Sequence, residues 1–330
     1  MPKGGRLPGG CGLCHTPHGA GSTPLLQGAA EEAACLTCHS AANPDASDIA
    51  SLLRQPFGHF VDRHSGEHSA EETPADASGH VECADCHDPH EASDRPSISG
   101  LDIGGALEGV PGVTLSGAQV DEAQFEYEVC LRCHGEEPAH LSGFPVRRQI
   151  EEFDLGREID PGNASFHPIA APGRNLSVPS LIAPLSEGSV IRCSDCHSAP
   201  AGFPRGPHGS PHEGLLRAGN RTGDGVAESP QAYALCYECH SRSSILGDQS
   251  FPLHRLHVVD ERTSCSVCHD PHGVSLSQGD PGEHTHLINF DLAVVEPEPA
   301  SGVIAFTDLG ERAGSCALTC HGYVHSSSGY

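Results

Sequence analysis

Sixteen cysteines fall into eight close pairs, and none is left over. The pairs are Cys11/Cys14, Cys35/Cys38, Cys83/Cys86, Cys130/Cys133, Cys193/Cys196, Cys236/Cys239, Cys265/Cys268 and Cys316/Cys320. Seven have the spacing CxxC and the last has CxxxC. Histidine follows every second cysteine directly, as His15, His39, His87, His134, His197, His240, His269 and His321. With 24 histidines in 330 positions, eight such neighbours in eight trials exclude coincidence. Whatever else the sequence prefers, the chain must fold around eight clusters of two thiols and one imidazole.

CxxCH is the attachment signature of c-type haem. Two thiols one short turn apart add to the two vinyl groups on one porphyrin edge, and the adjacent imidazole reaches the iron as proximal ligand. CxxxCH is a tolerated variant, so the pattern predicts eight covalent haems. Zinc sites would not require histidine directly after every second thiol. CxxC disulfides would close loops too short to staple a fold.

Sixteen histidines remain after the proximal eight, twice what bis-histidine ligation needs. Met1 is the only methionine and Lys3 the only lysine, so neither residue supplies the second axial ligands. Three proximal histidines are followed by x-Pro-His, which presents His18, His90 and His272. Proline fixes its own φ and restricts its predecessor, turning the second imidazole away from its own haem and towards a neighbour. His80, His257, His167, His208 and His59 complete a distal set of eight, with His254, His64, His140 and His325 as substitutes. His212, His284, His286 and His68 read as surface or outer-sphere residues. Asp88 and Asp270 beside the haem histidines have two readings: acceptors for the proximal imidazole N–H, or Asx turns before proline.

Aromatic residues make up 5% of the chain, tryptophan is absent, and Gly (39) and Pro (27) are abundant, so side-chain packing alone is a thin source of core. Porphyrin faces would supply the buried apolar area instead, and the chain without haem is expected to be largely unfolded. The fold is therefore expected to be mostly irregular and loop-rich, with short α-helices and a small β-hairpin around a haem core. One motif per about 41 residues leaves no room for a haem-free domain, so 1–330 reads as a single unit. Helices are expected over Asp121–His134 and from Ser229-Pro230 to His240, and a hairpin from 287–295 with 303–306. No apolar stretch approaches the roughly 20 residues of a transmembrane helix. A formal charge of -26 excludes nucleic acid as partner. It suits cationic partners or bridging divalent cations such as calcium. Thioether formation takes place outside the cytoplasm, so the protein is expected to be exported, although Met1–Arg6 shows no apolar signal region.

Through CxxCHxPH at Cys11–His18, Cys83–His90 and Cys265–His272, the chain resembles the doubled-CxxCH class of multihaem c-type cytochromes. In haem density, loop content and abundance of histidine it is also similar to the extracellular filament-forming cytochromes, or cytochrome nanowires; CxxxCH at Cys316 is a departure. That resemblance implies bis-histidine haems in a continuous stack, a homopolymer with haem contact across protomers, and electron delivery to extracellular acceptors or redox partner proteins rather than enzymatic turnover. Two other functions remain open. One is a discrete periplasmic or outer-surface carrier, and the other an octahaem reductase of nitrogen or sulfur oxyanions, which would need one high-spin iron.

Overall fold

The computed structural model describes residues 10–18, 25–27, 30–59, 61, 81–97, 100–135, 146–277 and 282–329. By their contacts they divide into two compact units: Met1–Cys133 with Arg192–Ala218, and His134–Ile191 with Gly219–Tyr330. The first holds the thiols of the first five motifs, the second those of the last three. As expected, the architecture is loop-rich, with short helices and small antiparallel sheets.

The helices are α1 (Glu31–Leu36), α2 (Cys83–Cys86), α3 (Glu126–His134), α4 (Leu155–Glu158), α5 (Cys193–Cys196), α6 (Ala234–Tyr237), α7 (Arg242–Leu246) and α8 (Cys265–Cys268). Four of them, α2, α5, α6 and α8, are single turns at a thiol pair. Two of the motifs stabilise their own turn: in CxDC, the Asp85 and Asp195 carboxylates accept the backbone N–H of Glu82 and Arg192, both at 2.7 Å. Such carboxylates satisfy donors that a helix start leaves free. The expected helix Asp121–His134 begins only at Glu126, because Glu128 Oε2 accepts from Gln124 N and Phe125 N and holds the entering chain in a turn. The helix expected from Ser229 is likewise short. Ser229 Oγ accepts from Ala232 N at 3.0 Å in a preceding turn, and α6 starts at Ala234.

The strands are β1 (Gly112–Val113), β2 (Gln119–Val120), β3 (Ser165–Phe166), β4 (Gly273–Val274), β5 (Val295–Glu296), β6 (Ala305–Gly310), β7 (Ala313–Cys320) and β8 (Tyr323–Gly329). β1 pairs with β2 and β3 with β4, both antiparallel. The expected 287–295/303–306 hairpin does not form. β5 and β6 instead each pair with β7, the strand carrying the last thiol pair, and β8 pairs with β7 through a tight hairpin.

Side-chain cores are small and end on motif cysteines. Val267, Ile288, Phe290, Val295, Phe306 and Leu318 form one, flanked by Cys268, Cys316 and Cys320. Ile103, Val110, Ala123 and Val129 form another beside Cys86, and Ala232, Tyr233 and Val258 a third beside Cys265.

Candidate functional site

Seven of the eight motifs adopt one local conformation, a single helical turn. The histidine N–H donates to the carbonyl of the first cysteine in His15→Cys11 (2.9 Å), His39→Cys35 (3.0 Å), His87→Cys83 (3.0 Å), His197→Cys193 (2.8 Å), His240→Cys236 (2.9 Å) and His269→Cys265 (2.9 Å). The fourth motif lies within helix α3. A helical turn puts i and i+3 on one face, about 5–6 Å apart at Cβ, so both thiols can meet one porphyrin edge. No disulfide joins any of the sixteen thiols.

Two of the expected thioether cysteines, Cys38 and Cys239, are placed differently from the partners they pair with. Helix α1 ends at Leu36, and α6 ends at Tyr237 rather than running on to His240 as expected. Cys38 and Cys239 therefore lie beyond the helices that carry Cys35 and Cys236. The physical reason is a tightened last turn: the Cys38 N–H donates to Cys35 O and the Cys239 N–H to Cys236 O, both at 3.2 Å, an i→i−3 closure of the 3-10 kind. Cys38 is exposed, whereas Cys239 is half-buried. Each still follows its partner by one turn, so both motifs keep the spacing that attachment requires.

Five of the proximal imidazoles are anchored through Nδ1. His39 Nδ1 meets Ser47 O (3.3 Å), His87 Nδ1 meets Ala106 O (2.7 Å), His197 Nδ1 meets Gly214 O (2.8 Å), His240 Nδ1 meets Ser180 Oγ (2.9 Å) and His269 Nδ1 meets His286 O (2.9 Å). Metal-bound histidines characteristically use their second ring nitrogen this way, which fixes the tautomer and leaves Nε2 for the metal.

Four motif histidines face a second histidine across a gap of nearly constant width. Ring centres are 6.1 Å apart for His15/His90, 6.0 Å for His87/His208, 6.5 Å for His167/His240 and 6.4 Å for His254/His269. Metal–imidazole bonds of about 2.0–2.1 Å, with roughly 1.2 Å from nitrogen to ring centre, put two trans imidazoles about 6.4 Å apart. The separation is thus that of two axial ligands on one metal ion. Burial also holds His208, His240, His254 and His269 down to about 4, so the imidazoles are neutral at physiological pH. Burial lowers His167 and His59 as well. Neutral imidazole is the form that binds iron. Haem therefore fits these residues: thiol pairs share one face, Nε2 is left for the metal, and the histidine gap accepts one iron.

Local sequence explains how the imidazole opposite His87 is seated. In Gly206-Pro207-His208-Gly209, a Cβ on Gly206 would stand 2.8 Å from the His208 ring and one on Gly209 only 1.9 Å from Leu52 O. The opposing segment closes the site with paired hydrogen bonds, Phe57 N to Ser210 O and Ser210 N to Phe57 O, while the His59 ring bonds to Pro207 O.

Within each unit successive motifs are spatial neighbours, and the contacts alternate. First cysteines meet first cysteines through thiol hydrogen bonds, Cys35 with Cys83, Cys130 with Cys193 and Cys236 with Cys265. Second cysteines neighbour one another as Cys14 with Cys38, Cys86 with Cys133 and Cys268 with Cys320. Burial pushes Cys86 and Cys268 up to about 12. A carboxylate staples two of the first-cysteine contacts. Glu31, four residues before Cys35, accepts from Ala84 N at 2.8 Å, and Glu126, four before Cys130, accepts from Ser194 N at 2.8 Å.

The expected distal set is partly redistributed. His90, His167 and His208 oppose motif histidines. His59 lies beside His208, and His80 falls outside the described residues, as do the substitutes His64 and His140. His18 is exposed. His272 instead meets Glu158 Oε2 at 3.3 Å. His257 faces His325, and His254, a substitute in the sequence reading, opposes His269. His284, expected at the surface or in the outer sphere, is buried, with Nδ1 on Ile288 O at 2.8 Å. Asp88 and Asp270 form the Asx turns, accepting from His90 N (2.8 Å) and His272 N (3.3 Å), whereas the proximal N–H groups of His87 and His269 go to backbone carbonyls. Those carbonyls left no sequence signal, since every residue has one. Glu158, Asp270 and His272 place ligand atoms within 4.8 Å of one another, but Arg148 (3.2 Å) and Asn289 (3.1 Å) already engage Asp270.

These features define a multihaem c-type cytochrome, a class that binds haem covalently through CxxCH and works in electron transfer. A family model described as the doubled CXXCH motif matches residues 7–44 and 183–244, covering the first, second, fifth and sixth motifs. No curated protein and no solved structure matches the chain. Among the described residues, no helix is long and apolar enough to cross a membrane.

Proposed function

We propose that this chain is an octahaem electron conduit: exported, bis-histidine ligated, and polymerising into an extracellular filament that carries electrons over long distances without substrate turnover. The observation that carries the reading is the iron-sized gap between His15/His90, His87/His208, His167/His240 and His254/His269. Bound haem supplies the redox-active iron. An iron holding two histidines keeps its coordination when its charge changes, so little structure has to reorganise. Sequence-consecutive thiol pairs lie side by side, which favours short porphyrin edge-to-edge separations and a linear path within each unit. A charge of -26 and the haem propionates set protomers against one another electrostatically, so polymerisation would require interface contacts, salt or divalent cations such as calcium.

Intact mass of the purified holoprotein is expected to give eight covalent haems, and its spectra wholly low-spin iron with no binding of small oxyanions. Electron micrographs are expected to show filaments. Discrete particles at high concentration would refute the polymer and favour a soluble carrier, while a high-spin iron with nitrite or sulfite turnover would favour a reductase.

A further inference from the structure

We propose that Ser180 is a positioning residue that lowers the potential of the sixth haem, the one attached at Cys236 and Cys239, by accepting the Nδ1–H of His240. This rests on the bis-histidine reading above and adds to it a hydroxyl outside the axial pairs.

The Nδ1 acceptor is a side chain here and a backbone atom at the other four anchored motif histidines. His39, His87, His197 and His269 reach the carbonyls of Ser47, Ala106, Gly214 and His286. His240 Nδ1 instead meets Ser180 Oγ at 2.9 Å. With Nε2 left for the metal, Nδ1 carries the ring proton and donates, so the hydroxyl accepts. A carbonyl survives any change of its own side chain, whereas this acceptor can be removed as a single oxygen atom.

The main chain holds that oxygen in place. Ser241 N donates to Ser180 O at 2.6 Å and Ile182 N to Cys239 O at 2.9 Å, so residues 180–182 lie antiparallel against the end of the sixth motif, with Leu181 bridged to His240. Ser244 Oγ, on α7, donates to Pro179 O at 3.2 Å and ties down the preceding residue. Ser180 itself is buried. A hydrogen bond at a fixed position away from water is stronger than the same bond in solvent.

Such support does not come with every imidazole pair. In His87/His208, the Nδ1 of His208 is buried with no hydrogen-bond partner among the described residues. In His254/His269, His254 Nδ1 has only a long contact of 3.4 Å to Ser250 Oγ. In His167/His240 both rings are supported, His167 Nδ1 by Pro271 O and His240 Nδ1 by Ser180 Oγ. An imidazole that shares its Nδ1 proton is a more basic ligand, and a more basic ligand favours ferric over ferrous iron. Ser180 therefore pulls the potential of this iron down.

The test uses the purified holoprotein and a marker for the iron concerned. His167→Ala removes the imidazole facing His240, so one iron should turn high-spin, and its potential can be followed alone by redox titration in electron paramagnetic resonance. In that background Ser180→Ala should raise the potential by about three- to tenfold in the redox equilibrium constant, or about 30–60 mV for one electron. Ser180→Thr, which keeps the hydroxyl, should restore the parent value, and Ser180→Asp, a stronger acceptor, should fall below it. A purely structural role would lower the melting temperature or haem content without producing that order. An unchanged potential in Ser180→Ala, or shifts of the same sign in the Ala and Asp variants, would overturn the assignment. A His167→Ala holoprotein with only low-spin iron would overturn the bis-histidine reading itself, and is read before any Ser180 variant is made.

Discussion

Glu31 offers a direct handle on the potentials of the second and third haems. Its carboxylate lies within 4.8 Å of both the Cys35 and Cys83 sulfurs, where those haems attach, and accepts the Ala84 N–H at 2.8 Å. Burial raises it to about 7, the Ala84 hydrogen bond opposes the rise, and Glu82, Glu32 and Asp85 reinforce it. Glu31 therefore changes charge near neutrality. At about 10 Å from either iron, one unit charge is worth about 1.7 kcal/mol at an effective dielectric of 20 and about 0.4 kcal/mol in water. For a one-electron couple, where about 59 mV equals 1.4 kcal/mol, this is roughly 20–70 mV. The group is partly exposed, and at ordinary ionic strength the lower half of that range applies. The negative charge stabilises oxidised iron, so the potentials of these haems should fall as pH rises through about 7. Glu31→Gln should abolish that slope and hold them at the low-pH, more positive value. Linkage gives a second readout: a carboxyl raised in the folded state stabilises it below the unfolded value of about 4.5 and loses that contribution as pH climbs towards 7. The variant should thus melt above wild type at pH 8, with the difference shrinking at pH 5. Spectroelectrochemical titrations between pH 5.5 and 8.5 decide the matter. A Gln variant keeping the wild-type slope in every resolved potential would refute the placement of Glu31 between two haems.

His208→Ala and His167→Ala should each convert one low-spin haem to a high-spin, imidazole-rescuable form in electron paramagnetic resonance, and their effects should add in the double variant because they serve different irons. Arg148→Met should cost about 3–5 kcal/mol in a thermal melt, since it leaves Asp270 buried without its cation. Arg148→Met with Asp270→Leu should recover much of that loss. Gly209→Ala should cost about 1–3 kcal/mol and broaden the signal of the haem on His87, because its Cβ would stand 1.9 Å from Leu52 O and push His208 out of line.

What the sequence made legible was the chemistry that must be local. Thioether attachment needs both thiols and the imidazole within one turn, so Cys35–His39 or Cys265–His269 can be read without knowing the fold. Where the helix around a motif stops is less legible: Cys38 and Cys239 fall past the ends of α1 and α6, although their spacing is that of Cys86 and Cys196, which stay inside α2 and α5. The Asp85 and Asp195 carboxylates bond to the starts of α2 and α5, and Thr37 and Glu238 stand at the corresponding positions of the other two motifs; Val267 stands there in α8, which holds Cys268 without such a carboxylate. Distal ligation carries no local constraint at all. His208 opposes His87 from 121 positions downstream, in a segment held by the Phe57/Ser210 bridge and two close-packed glycines. Of the three x-Pro-His histidines only His90 is described opposite a motif histidine, since proline sets the direction of departure but not what waits in that direction; Glu158 waits for His272. His254 and His257, three residues apart, each oppose a different histidine, a division that their spacing does not reveal. The strand pairing was hidden for a related reason. Ala-Gly-Ser-Cys-Ala-Leu-Thr-Cys has weak strand propensity and carries an attachment site, so the central strand β7 is masked and its two neighbours read as partners of each other.

The distribution of apolar contacts shows why so irregular a chain can hold so regular a set of imidazole gaps. Each of the three described side-chain clusters is a handful of residues, too small to define a domain alone, and each abuts at least one motif cysteine: Cys268, Cys316 and Cys320 in one, Cys86 in the second, Cys265 in the third. Packing is thus continuous through the thiols to the group they attach, and the clusters act as backing for the motif turns. The polar network follows the same plan, with Glu31 and Glu126 tying one motif's helix to the start of the next and Arg148 reaching the carbonyls of Ser266 and Asn289 around the seventh. Rigidity is concentrated at the turns that aim histidines, while the connections between them are left to glycine, proline and serine. Changes in those connections should be tolerated as long as the aimed residues keep their gap, whereas a shift of a few tenths of an ångström at Gly209 or in the Ala106 carbonyl alters an iron site directly.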